Sequence, residues 1–185
     1  GQRLSEAFVL DLSDGSLILA EKKYEVNGEK CFYFSELFLE CRAPLSQKSK
    51  LDIVTRAVDQ VAKKYYGDED AQKKMKIKDI ICNELEEQGE IKVSELREKV
   101  FPGSPEMLEE LDEKLDRYNL SYETVAPKNE QTIKKFQKQK LYTDTGIEIT
   151  IPMEEYRNPD HVEFITNMDG TISVLIKNIG MLSSK

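Results

Sequence analysis

A chain of 185 residues with 39% apolar content can bury one core, or two small ones, and its composition is not that of a disordered chain. A formal charge of −8 is the reverse of the basic balance expected when a domain neutralises phosphates over its whole surface. No run of about 18 apolar residues and no charged-then-apolar start is present, so neither a membrane span nor a secretory signal is predicted, and the protein is expected in the cytoplasm.

Residues 7–13 read as a strand, Asp14-Gly15 as its turn and residues 17–26 as the return, with Asn27-Gly28 as a second turn into residues 29–34. Asp-Gly and Asn-Gly accept the positive φ of tight hairpins, so a three-stranded antiparallel meander is predicted. Phe32, Phe34, Leu37 and Phe38 follow as an aromatic and aliphatic cluster. Two readings stay open for it: packing where the meander meets the next element, or a partner-docking surface built from Phe34, Leu37 and Phe38.

Helix is predicted over residues 49–66, where Ser49-Lys-Leu-Asp52 offers a capping box and Leu51, Val54, Val58, Val61, Ala62 and Tyr65 recur on one face, up to Gly67. Asp68 is placed as the cap of a second helix carrying Ile77, Ile80, Ile81 and Leu85 and ending at Gly89, and the two are expected to pack as an antiparallel pair. A short helix over 94–100, a turn at Phe101-Pro-Gly-Ser104 and a helix over 105–118 then follow in the order of a helix-turn-helix. Groove reading by the last helix is disfavoured, because Glu106, Glu109, Glu110, Asp112, Glu113 and Asp116 outnumber Lys114 and Arg117 and phosphates would repel them. Acidity is concentrated here: residues 84–117 hold twelve acids against five bases, a local net of −7.

The clearest basic stretch lies at residues 128–140, where Lys128, Lys134, Lys135, Lys138 and Lys140 face Glu130 alone, a local net of +4. Three readings compete: the solvated face of an edge strand protected by lysines, a phosphate-contacting strip with Phe136 or Tyr142 stacking on bases, or contact with an acidic partner. Two hairpins close the chain. Residues 138–152 turn at Asp144-Thr-Gly146, and residues 161–176 turn at Met168-Asp-Gly170.

Catalytic signatures are missing from this pattern. No G-x-x-x-x-G-K-[ST], G-x-G-x-x-G or G-x-S-x-G occurs, so no phosphate-cradling loop or nucleophile elbow is read. His161 is the single histidine, and Cys31, Cys41 and Cys82 have no C-x-x-C spacing, so no metal site, cofactor, disulfide framework or catalytic residue is predicted. A metal-dependent nuclease would need converging carboxylates and a lysine; only Glu90-Ile-Lys92 suggests one, and Pro159-Asp160 follows that tripeptide instead of preceding it.

Asp144-Thr-Gly-Ile-Glu-Ile149, Pro152, Tyr156, Val162-Glu-Phe164, Asn167, Asp169-Gly-Thr-Ile-Ser173 and Ile176-Lys-Asn-Ile179 form a pattern that resembles the C-terminal signature of the bacterial nucleoid-associated protein family often called NdpA. Weaker likeness extends to Tyr33-Phe-Ser-Glu-Leu-Phe38 and Glu86-Glu-Gln-Gly-Glu-Ile91, and Met168 stands where proline is expected. The resemblance implies a non-enzymatic protein of the nucleoid, with bacterial chromosomal DNA as partner, and carries no residue-level site. A start at Gly1 reads as a tag remnant or a cut from a longer protein, with DNA affinity in an N-terminal portion outside this chain as one expectation. The predicted class is α+β: a meander over 1–45, a helical bundle over 46–126, and hairpins over 127–185, which have the strand content to join 1–45 in one sheet. Function is expected through protein interaction or dimerisation with weak or indirect DNA contact; the alternatives are direct DNA binding through the 128–140 lysines and, further off, the nuclease.

Overall fold

A computed structural model describes residues 6–13, 15, 17–26, 28–39, 44–67 and 70–183. Asp14, Asn27, Cys41 and the Asp68 cap of the sequence reading lie outside the described residues. The architecture is α+β, with every strand pair antiparallel. The chain divides into two compact units, Gly1–Leu45 and Ser46–Lys185.

In the first unit, β1 (Ala7–Leu10) pairs with β2 (Leu17–Ala20), and β3 (Lys23–Val26) pairs with β4 (Glu29–Phe32). The predicted three-stranded meander is therefore corrected to two separate hairpins, because the single return strand read over 17–26 is interrupted at Glu21-Lys22. Both interrupting residues take up local duties: the Glu21 carboxylate accepts from the Ser35 N–H at 3.1 Å, and the Lys22 N–H donates to Glu6 at 3.4 Å. A π-helical turn, Tyr33–Phe38, follows β4. Among the described residues of this unit only Ser35 is buried.

The second unit holds the core. Helix α1 (Gln47–Tyr66) starts two residues before the predicted position, because Ser46, not Ser49, is its cap: Ser46 Oγ accepts from the Ser49 N–H at 3.1 Å. Its buried stripe is Leu51, Val54, Ala57, Val58, Val61 and Ala62. Tyr65 is turned out to solvent, and Tyr66 packs on the core in its place, its ring tilted against Phe101 at 6.4 Å. Helix α2 (Ala71–Glu87) is capped by Asp70, whose side chain accepts from the Lys73 N–H, and buries Ile77, Ile81 and Leu85 as their spacing predicts.

Next come β5 (Ile91–Lys92), α3 (Val93–Val100), α4 (Pro105–Asp116) and β6 (Thr124–Val125). The most extensive helix packing in the unit joins α1 to α4, more than α1 to α2, so the expected α1–α2 pair is one side of a broader bundle. Strand β6 was not legible as a strand; it pairs with β5, setting Ile91 opposite Val125, both fully buried, and so closes the helical segment. After α5 (Glu130–Lys134), β7 (Lys138–Tyr142) pairs with β8 (Glu148–Pro152). The one-turn helix α6 (Met153–Arg157) then leads to the pair β9 (Val162–Thr166) and β10 (Ile172–Ile176). Gly146 and Gly170, at φ +87° and +83°, sit in the two hairpin turns, a conformation side chains with a Cβ resist. The C-terminal hairpins form their own two-stranded sheets and do not extend the first strands. Among the described residues no helix is long and apolar enough to cross a membrane.

Candidate nucleic-acid interface

The basic stretch is delivered to the surface by alternation. Along β7, Lys138, Lys140 and Tyr142 are exposed while Gln139 is 2% exposed, so the two lysines and the tyrosine share the outward face. Gln139 fixes that parity: its Nε2 donates to the Met75 carbonyl of α2 at 2.8 Å and lies 3.6 Å from the Met153 sulfur. Arg157 reinforces the attachment from α6, its Nη1 donating to Glu86 at 2.9 Å and its Nε to Asp79 at 2.5 Å, while the Gln137 amide donates to Glu86 at 3.3 Å. Strand β7 is thereby seated on the rigid face of α2.

The seat brings in a cation that spacing alone could not reveal. Lys78 of α2 is half-buried, and its Nζ donates to the Lys138 carbonyl at 2.6 Å. Desolvation lowers its pKa and the neighbouring Lys140 ammonium lowers it further, against the opposing pull of Asp59. Asp59 retains solvent-accessible surface but stands in a crowded notch, where desolvation pushes its carboxyl up more than Lys78 and Lys74 draw it down. Two ammonium groups thus stand together with one poorly solvated carboxylate, an arrangement that an incoming anion relieves.

The other predicted lysines are spread upstream. Asn129 caps α5 by accepting from the Gln131 N–H at 2.8 Å, and Lys134 at the far end reaches Glu130 at 3.5 Å, an exposed pair of little energetic consequence. Lys128 and Lys135 are exposed and, with the Lys138 and Lys140 side chains, form no ion pair among the described residues. Phe136 packs against the helical core and is not available for the base stacking considered from sequence; Tyr142, 68% exposed, is.

The acidic helix α4 behaves as its composition implies. Glu110 is held by Lys64 at 2.5 Å, with Lys114 at 3.7 Å, and Asp112 by Arg97 at 2.5 Å, while Met107, Leu111 and Leu115 face inward. Among the described residues no three His, Cys, Asp or Glu side chains are grouped so as to hold a metal ion. His161 is 2.5 Å from Glu155, at the entry to β9.

Phe34, Leu37 and Phe38 lie in the first unit. Phe34 stacks between Phe8 at 5.0 Å and Phe38 at 5.5 Å, while Leu37 and Phe38 remain 46% and 69% exposed. Core packing, the other reading of this cluster, does not describe Leu37 and Phe38.

Comparison with curated proteins and with solved structures found no match to this chain. A family model described as nucleoid-associated protein YejK matches residues 1–181, well beyond the C-terminal pattern legible by eye. The hairpins at residues 138–152 and 161–176, which carry most of that pattern, are the elements on which the Lys138–Lys140 face is built. With nearly its whole length matched, the chain belongs to the family of nucleoid-associated protein YejK, and its role is a chromosome-associated one.

Proposed function

We propose that this protein is a non-enzymatic component of the bacterial nucleoid, in the cytoplasm, that touches DNA phosphates through a narrow cationic face on an otherwise anionic body. The single observation that carries this reading is the set of exposed lysines without ion-pair partners, Lys138 and Lys140 at its centre, beside the half-desolvated ammonium of Lys78. Lys128, Lys134 and Lys135 extend the same sign of charge upstream. With a net charge of −8, most of the surface repels a duplex, so binding is local, modest and steeply salt-dependent. Fluorescence anisotropy on a labelled duplex tests it: glutamate at Lys134, Lys135, Lys138 and Lys140 is expected to abolish binding, and unchanged affinity would remove the strip from consideration.

A second component of the reading is protein docking through Phe34, Leu37 and Phe38, supported by the exposure of the last two beside an open apolar cavity of about 540 Å³ lined by Phe8, Leu19, Tyr24, Tyr33 and Phe34. Substituting Leu37 and Phe38 by serine should disrupt protein association and leave duplex affinity per chain intact.

A further inference from the structure

We propose that the β1–β2 hairpin of the first unit is a self-association surface whose occupant is a second copy of this chain, related by a twofold axis. The proposal rests on the protein-docking component above and names its partner.

The strands themselves require cover. In the register Val9↔Ile18 and Phe8↔Leu19, opposite residues share a face, so Phe8 and Leu19 lie on one side of the hairpin and Val9 and Ile18 on the other. Phe8 stacks on Phe34 of the π-helical turn at 5.0 Å, which partly shields the first side. The second side is open: Val9 is 61% and Ile18 71% exposed. Strands apolar on both faces belong inside a packed layer, and an isolated two-stranded hairpin is marginal in water.

The edges agree with the faces. β3, β4 and β7 carry Lys23, Lys30 and Lys138, the kind of charge that keeps exposed strands from pairing. Strands β1 (Ala-Phe-Val-Leu) and β2 (Leu-Ile-Leu-Ala) carry no charge and no proline. They lack the protection given to the other strands, as strands with a partner do.

Area selects the occupant. The open apolar side chains of this unit, with aromatic rings taken at roughly 200 Å² each, amount to on the order of 1,000 Å². That exceeds the roughly 300–600 Å² of the largest patch on a typical monomer and meets the roughly 800 Å² per partner of a stable complex. A twofold copy sets Val9 and Ile18 against their own counterparts, so one apolar patch satisfies both chains without needing a complementary surface elsewhere. The dimer also carries two Lys138–Lys140 faces, and a duplex long enough to reach both is held more tightly than either face holds it.

Light scattering after size exclusion, run on the 185-residue chain across a hundredfold dilution, tests the proposal. The expected mass is twice the chain's 21.3 kDa at high concentration, falling to 21.3 kDa on dilution. Ile18→Asp should give 21.3 kDa throughout, while Met168→Asp, an exposed apolar residue in the β9–β10 turn, should leave the dimer intact. Hydrogen exchange of the unaltered protein keeps the test decisive if Ile18→Asp unfolds the hairpin. Protection at residues 7–10 and 17–20 should be lost on dilution while α1 and α4 stay protected. A mass of 21.3 kDa at every concentration, or hairpin protection that survives dilution because another part of the same chain covers it, overturns the proposal. A monomer whose duplex binding still depends on Lys138 and Lys140 would overturn the dimer alone and leave the phosphate-contact reading standing.

Discussion

Replacing Lys138 and Lys140 together by glutamine removes two charges from the outward face of β7 without disturbing Gln139, which holds the strand to α2. Each phosphate neutralised by a lysine contributes about 0.9 to the slope of log K against log salt, so losing two contacts should flatten the slope by about 1.8. Between about 50 mM and about 200 mM salt that difference amounts to roughly a twelvefold change in relative affinity, so the variant should look far more impaired at low salt than at high. Lys134→Gln is the internal contrast, because Lys134 already faces Glu130 at 3.5 Å and its loss should alter the slope less than that of either β7 lysine. Anisotropy titrations at four or five salt concentrations measure the slope directly, with far-ultraviolet circular dichroism to show that the fold is kept. A double variant that binds more weakly with the parent slope would mean that Lys138 and Lys140 do not release counterions, and the phosphate-contact argument would fail.

Other outcomes follow from the second unit. Phe101→Ala empties a fully buried site beside Tyr66 and should cost about 3–5 kcal/mol, measured by urea unfolding. Ser46→Ala removes the acceptor for the Ser49 N–H at the start of α1 and should cost about 1 kcal/mol in the same assay. Arg157→Ala should cost about 1 kcal/mol near neutral pH, since its two ion pairs are partly solvated. Burial pushes Glu86 up, but hydrogen bonds from Arg157, Cys82 and Gln137 outweigh it and hold the carboxyl below its ordinary 4.5. A depressed carboxylate stabilises the fold above its unfolded pKa and ceases to do so as pH falls through the folded value, so parent and Arg157→Ala stabilities should converge in acid. Cys82, buried and beside Glu86, has its thiol pushed up to about 11; it should resist maleimide at pH 7–8 in the native protein and react on unfolding.

The helices and the C-terminal hairpins were legible because each announces itself locally. Leu51, Val54, Val58 and Val61 state a 3.6-residue period, and Gly146 and Gly170 mark turns that few other residues fit. What sequence hid was set at a distance. Lys78 joins Lys138 and Lys140 from sixty residues away, and nothing in the spacing of α2 singles it out from Lys73, Lys74 or Lys76. Arg157 finds Asp79 and Glu86 in the same manner. The two-residue strand β6 and the single turns α5 and α6 are too short for any period to emerge, and they form because neighbours already fixed in place supply their partners. The break between β2 and β3 escaped notice because Glu21-Lys22 reads as two more polar positions in an alternating strand. Apolar content at Phe34, Leu37 and Phe38 was visible, but sequence does not distinguish a side chain awaiting a neighbour in the same chain from one awaiting another molecule.

Gln139 makes the cationic face a matter of counting as much as of chemistry. The backbone alternates, so deleting one residue between Asn129 and Gln139 would slide the strand by one step, carry Lys138 and Lys140 beneath the sheet and expose the amide that now grips Met75. Composition and net charge would change by a single residue, yet the electrostatic signature facing DNA would be inverted. This linker should therefore accept many exchanges of side chain but no change in length by an odd number.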